Sequence, residues 1–175
     1  MGSAAGPLTA GEMVPSLALP EADGGVVRLR GYRGRRNLVL LLLHGPTCPQ
    51  CRDRLEQVAS AYDQIAAQEG ELVVVLPAPA PDAAAVKRRL GLRCPVVGDQ
   101  DLAAYRASGA LDDRGQPQAA LAVTDRYGEV YHAAVAGAEH DLPSVAAVLG
   151  WLVFIEVQCP ECGVAEAPWA GVGGR

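Results

Sequence analysis

Apolar residues occupy every position from Leu38 to Leu43, and again from Leu72 to Leu76 after Glu71. Short runs without polar alternation are expected of strands covered on both faces, so both belong inside a sheet. Between them Leu55, Val58, Ala59, Tyr62, Ile65 and Ala66 recur at helical spacing, and this helix should end by Gly70. Residues 38–76 therefore predict a strand–helix–strand unit, parallel and right-handed. The prolines from Pro77 to Pro81 cannot continue the second strand, and Asp82 is placed to cap a helix that carries Val86 and Leu90 toward Gly91. Val96 and Val97 read as a short strand, and Leu102 to Ala107 as a helix.

Further along, the runs Ala119 to Thr124 and Glu129 to Ala136 flank Asp125-Arg126-Tyr127-Gly128, which predicts an antiparallel hairpin. Leu142, Val145, Ala146, Val148, Leu149 and Leu152 give a last amphipathic helix, opened by Asp141 before Pro143. Near the start, Gly24-Gly25 makes a turn before a short strand over Val26 to Leu29, while residues 1–20, rich in Gly, Ala and Pro, predict a leader that packs over the domain with little structure of its own. This order of elements requires an α/β fold with a central mixed β-sheet flanked by helices.

Composition adds limits to that picture. A chain of 175 residues can bury one sizeable core, so we expect one domain over residues 11–155, a leader over 1–10 and a tail over 156–175. Half the residues are apolar and a fifth charged, as in soluble globular proteins. With 15 basic and 20 acidic residues the net charge is −5, which gives no reason to expect nucleic acid or an anionic membrane as partner. The cluster Arg28, Arg30, Arg33, Arg35 and Arg36 reads as a solvated loop. The first residues show no basic region followed by an apolar run, so a cytoplasmic location is the expectation, and Leu38–Leu43 is far shorter than the roughly 20 residues of a membrane span.

The five cysteines change the picture most. They stand at 48, 51, 94, 159 and 162, as two C-x-x-C pairs and a single residue. In a reducing compartment that pattern favours catalytic or metal-binding thiols over a disulfide framework. Cys48-Pro49-Gln50-Cys51 lies between a buried strand and an amphipathic helix, so its cysteines sit one turn apart at a helix start. The helix N-terminus there stabilises the thiolate of Cys48, the predicted nucleophile, and Cys51 would attack a mixed disulfide on Cys48 to close the intramolecular bond. Pro49 suits the first helical position because its missing N–H would have had no partner. His44, Thr47 and Arg52 flank the pair as candidates for tuning the thiolate, with Arg54 adding positive potential.

On these residues the chain resembles the thioredoxin-like superfamily, and within it the redoxin group related to alkyl hydroperoxide reductases and thiol-specific antioxidant proteins, the peroxiredoxin-like group. The match is carried by Gly11 to Pro15, Leu17 to Pro20, Val26 to Tyr32, Leu38 to Cys51 and Asp125 to Gly128, and spans roughly residues 11–155. The resemblance implies a thioredoxin-like fold, Cys48 as attacking thiol and Cys51 as resolving thiol. It is incomplete in two places. Peroxiredoxins carry Thr or Ser three residues before the attacking cysteine, where this chain has Gly45. Thioredoxins carry a cis-proline before the hairpin strand, where Pro117 lies about two residues early and Ala119 takes the position.

Cys159-Pro160-Glu161-Cys162-Gly163 has the form of a zinc-ribbon knuckle, but the other pair lies more than a hundred residues upstream, outside ribbon spacing. Three uses fit it: a second redox pair relaying electrons to Cys48 and Cys51, a zinc site completed by another subunit or by the first pair, and a quiescent tail. Cys94 beside Pro95 reads as a small buried hydrophobe, Trp151 and Phe154 as core or tail anchors, and nothing links His132 or His140 to the cysteines. The chain has no phosphate-cradling glycine loop, no H-E-x-x-H and no G-x-S-x-G.

Three functions follow as expectations. The leading one is a thiol–disulfide oxidoreductase that uses Cys48 and Cys51 without an organic cofactor, takes electrons from a dithiol donor and acts on a disulfide-containing protein or a small oxidant. The others are a peroxiredoxin-like thiol peroxidase and a zinc-binding scaffold in which both pairs are ligands. A homo-oligomer is open to each.

Overall fold

A computed structural model describes residues 6–45, 47–137 and 141–158. The strands are β1 (Ala18–Pro20), β2 (Val26–Arg28), β3 (Asn37–Leu42), β4 (Gly70–Leu76), β5 (Val96–Gly98), β6 (Ala120–Thr124) and β7 (Val130–Val135). The α-helices are α1 (Pro49–Ser60), α2 (Tyr62–Ala67), α3 (Ala80–Leu90), α4 (Ala103–Ala107) and α5 (Val145–Glu156). Five strands form one sheet in the order β5-β4-β3-β6-β7. The pairs β3–β4 and β4–β5 are parallel, whereas β3–β6 and β6–β7 are antiparallel, so the sheet is mixed and the fully apolar run of β3 lies at its centre.

The reason for that unbroken run is visible in the packing. Val39, Leu41 and Leu43 enter one core with Cys51, Leu55 and Val58 of α1, Ile65 of α2, Ala83 of α3, and Trp151 and Leu152 of α5. Leu38, Leu40 and Leu42 enter a second core on the opposite face with Tyr105 of α4. Period-two alternation still operates in β3, but both faces are dry and both need apolar side chains. Buried Cys94 belongs to the first core, as its sequence context predicts. His132 of β7 stacks on Trp151 at 5.1 Å, and Phe154 packs edge-on against Trp151 and Tyr131, so these four rings serve the packing of α5 on the sheet.

Several sequence expectations are corrected. Residues 6–20 do pack over the domain but have more structure of their own than expected: β1 pairs with β2, Met13 bridges Glu129, and Val14 and Leu19 are buried. The five residues of α4 cover little of the second face, and this N-terminal segment with Val27 and Leu29 supplies the rest. The strand after Gly25 stops at Arg28, and Leu29–Tyr32 forms a 3-10 turn. The helix before Gly70 breaks at Ala61 and ends at Ala67. Pro79, not Asp82, stands at the N-cap of α3, with Asp82 inside the first turn, where the helix dipole still favours a carboxylate. Ser144, not Asp141, caps α5 by accepting from the Ala147 N–H at 3.2 Å, and Asp141 accepts from the Gly137 N–H instead. The hairpin turn is as predicted. Asp125 Oδ1 accepts from the N–H groups of Tyr127 and Glu129 at 2.8 and 2.9 Å, and Gly128 adopts a φ of +88°, which suits glycine.

Candidate active site

The site begins where β3 leaves the sheet. The Leu43 N–H still bonds the Val75 carbonyl, after which His44 and Gly45 turn the chain toward α1. Tyr105, fully buried, anchors this exit, because its hydroxyl reaches the carbonyls of Leu43 at 2.5 Å and Val75 at 3.1 Å. Burial holds the Tyr105 phenol well above its ordinary range, so it is a permanent neutral donor. Tyr105 was missed in the sequence because a buried tyrosine in a short helix carries no motif.

Cys48 is the N-cap of α1. Its Sγ accepts from the Cys51 N–H at 3.4 Å and lies 3.1 Å from Gln50 Oε1, to which the thiol donates. Pro49 occupies the first turn, as expected of a residue without an N–H. A sulfur in a cap position faces the unpaired N–H groups of the first turn. Cys48 is half-buried, whereas Cys51, one turn further in, is 3 % exposed. The pair therefore has one sulfur a partner can reach and one it cannot.

Burial pushes the Cys51 thiol up to about 11, and its contact with Cys48 adds to the rise. Against it lies His44, whose Nδ1 stands 2.9 Å from Cys51 Sγ. His44, in the sequence a candidate for tuning a neighbouring thiol, has its ring in contact with Cys51. One donor atom each from His44, Cys48 and Cys51 lies within 4.8 Å of the others, which is close enough for all three to hold one metal ion.

The other predicted tuning residues stand apart from the sulfurs. Thr47 is exposed, and among the described residues no hydrogen bond joins it to either thiol. Arg52 is exposed and pairs with Asp53 and Glu56 of its own helix at 4.0 and 3.9 Å. Arg54 acts as a strut: it donates to the carbonyls of Pro143 and Leu142 at 2.8 and 2.9 Å, tying α1 to the segment that leads into α5. A small recess beside Cys51 is lined by Leu43, Leu55, Leu76 and Val86 together with Arg52 and Arg89.

Pro117 bridges Leu111, the Ala119 carbonyl accepts from the Ala136 N–H, and no cis peptide occurs among the described residues. Cys159, Cys162 and His140 lie outside the described residues. No described helix is long and apolar enough to cross a membrane.

The sequence pattern of the AhpC/TSA family matches residues 10–133. Solved structures share the fold at low identity. A peroxidoxin from Mycobacterium tuberculosis is 17 % identical with a TM-score of 0.72, over 86 % of this chain and 98 % of that one. A reduced 2-Cys peroxiredoxin from Plasmodium vivax is 18 % identical with a TM-score of 0.75, over 84 % and 96 %. A peroxiredoxin-like protein from Aquifex aeolicus is 13 % identical with a TM-score of 0.76, over 87 % and 90 %. Among proteins of curated function, no sequence matches.

Proposed function

The chain belongs to the AhpC/TSA family, and from the geometry of its site we propose that it is a thiol–disulfide oxidoreductase in which Cys48 attacks and Cys51 resolves. The observation that carries this proposal is the contrast within the pair: Cys48 half-exposed on the N-terminus of α1, and Cys51 buried one turn inward with His44 Nδ1 at 2.9 Å.

In the first step the Cys48 thiolate attacks one sulfur of a substrate disulfide. A mixed disulfide forms, and the other substrate sulfur leaves and takes a proton from solvent. In the second step the Cys51 thiol, held protonated by burial, must lose its proton. His44 in the tautomer protonated at Nε2 presents Nδ1 as acceptor and takes it. The Cys51 sulfur then attacks Cys48 Sγ, the second substrate sulfur leaves, and the Cys48–Cys51 bond closes. Two electrons have passed to the substrate, and a dithiol donor returns them by the reverse exchange. His44 is thus a proton acceptor for the resolving thiol. The protein needs no organic cofactor for this chemistry.

Trapping tests the order of attack. A Cys51→Ser variant should accumulate a mixed disulfide with its partner through Cys48, seen as an intact adduct by mass spectrometry, whereas Cys48→Ser should trap nothing. Adducts on Cys51 in the second variant would reverse the assignment.

The family match and the peroxiredoxin neighbours favour a second reading, a thiol peroxidase. Here Cys48 would take one peroxide oxygen as a sulfenic acid, and Cys51 would displace water from it to give the same disulfide. Gly45 stands where peroxiredoxins carry Thr or Ser, so the side-chain hydroxyl at that place is missing. Stopped-flow mixing with hydrogen peroxide separates the two readings. Oxidation of Cys48 no faster than that of a free thiol supports the oxidoreductase, and a rate orders of magnitude higher supports the peroxidase.

A further inference from the structure

Among the described residues, one set of three or more His, Cys, Asp or Glu donors converges on a common point: His44, Cys48 and Cys51. We infer that the reduced site binds zinc through these three residues, and that the ion and the Cys48–Cys51 disulfide exclude one another.

Tetrahedral zinc, with Zn–S of about 2.3 Å and Zn–N of about 2.0 Å, sets donors about 3.5 Å apart for nitrogen–sulfur and about 3.8 Å apart for the two sulfurs. Here all three donors lie within 4.8 Å of one another and His44 Nδ1 is 2.9 Å from Cys51 Sγ. Opening that contact by about 0.6 Å brings it to the nitrogen–sulfur separation, and the other two separations are already within about 1.3 Å of theirs or closer. Two thiolates and an imidazole suit a borderline-soft ion. No carboxylate joins the set, which disfavours magnesium and calcium. The Cys51 N–H on Cys48 Sγ is the kind of outer contact that orients a ligand thiolate, and the N-terminus of α1 offsets the charge of two sulfurs. Three protein ligands leave a fourth tetrahedral position, which water or a further donor would fill.

This site differs from a ribbon shared with Cys159 and Cys162, because the first pair and His44 complete a three-ligand set without the tail. Zinc binding needs only the free thiols and does not rest on disulfide cycling. When a small-molecule disulfide oxidises the loaded site, the Cys48–Cys51 bond forms and the oxidant's S–S bond breaks. Its two sulfurs receive the two electrons and leave as thiols, and zinc is released.

The test uses full-length protein, reduced anaerobically and freed of reductant, titrated with cobalt(II) as the spectroscopic stand-in and then with zinc. The expected result is one equivalent of tetrahedral cobalt with thiolate charge-transfer absorption, bleached by equimolar zinc. The Cys159→Ser/Cys162→Ser double variant should keep the spectrum, Cys48→Ser should lose it while retaining its circular dichroism, and His44→Ala should weaken binding about tenfold or more. Absence of a tetrahedral spectrum in the native chain would overturn the inference, as would a spectrum that survives Cys48→Ser and vanishes with the tail pair. Oxidised glutathione added to the zinc-loaded protein should release one zinc per Cys48–Cys51 disulfide formed; disulfide formation with zinc retained would overturn the exclusion. If no disulfide forms at all, the redox proposal fails, while the zinc site stands on the cobalt spectrum.

Discussion

The chemistry of the site turns on one buried sulfur. Because burial pushes the Cys51 thiol up to about 11, its thiolate is scarce at neutral pH, and in the proposed mechanism resolution depends on His44 Nδ1 at 2.9 Å as acceptor. A His44→Ala variant should therefore resolve mixed disulfides about tenfold more slowly at neutral pH and recover as pH rises, since the thiolate fraction grows roughly tenfold per pH unit below the thiol's pKa. Rapid-quench measurement of the second step across the alkaline range checks this; a variant with the native profile would remove His44 from the mechanism. Cys94 shares the elevation to about 11, again from burial, and both thiols rise from an ordinary 9.0. The folded state thus keeps protons that the unfolded chain releases, so this stabilisation is complete below about pH 9 and is lost as pH climbs toward about 11. The urea midpoint of the reduced protein should fall between these limits, and Cys94→Ala should flatten the fall. The contact of His44 with Cys51 was not legible in the sequence, where seven residues and a turn separate them. The C-x-x-C spacing was, because two cysteines one helical turn apart are local.

At the scale of elements, apolar patterning located the strands of the main sheet and the longer helices, and capping signals misplaced two helix starts. Asp82 and Asp141 are both acceptable caps in isolation, but the chain enters α3 through Pro79 and α5 through Ser144. What decides is which residue the sheet and the preceding loop bring to the helix axis, and that is a tertiary fact. Ser144→Ala should cost about 1 kcal/mol of stability through the lost Ala147 N–H bond, while Asp141→Ala leaves the α5 cap intact. Thermal denaturation of both variants checks the assignment. Leu55, 1 % exposed beneath α1, is the side chain that seats the cysteine helix on the sheet. Leu55→Ala should cost about 2–5 kcal/mol. It should also shift the midpoint of the Cys48–Cys51 redox transition toward easier reduction, because loosening the helix that sets their spacing lowers the effective concentration of one thiol at the other. A stability loss below about 1 kcal/mol in a denaturant titration would mean that α1 is held chiefly by other contacts, such as Arg54 on the carbonyls of Leu142 and Pro143.

Across the whole molecule, the parallel β3–β4 pair and the helix between them present the N-terminus of α1 at the C-terminal edge of the sheet, where backbone donors face a ligand. The family could be read from the sequence because Cys48 to Cys51 keeps its place after the central strand; that the N-terminal segment packs over the domain could be read too, but not which residues do so, because Val14, Leu19, Val27 and Leu29 are too scattered to show a period. The tail pair Cys159 and Cys162 enters only as a proposal of electron relay. Removing both residues should slow reduction of the Cys48–Cys51 disulfide by the donor and leave its formation unchanged. The central claim is that Cys48 and Cys51 form a reversible disulfide. It is tested most directly by equilibrating the full chain in buffers of graded dithiol-to-disulfide ratio, quenching with acid and alkylating, and following the Cys48–Cys51 peptide by mass spectrometry. A single two-electron transition confined to this pair, and abolished in Cys48→Ser, is the predicted result; two free thiols at every ratio, or a disulfide joining either residue to Cys94, would contradict it.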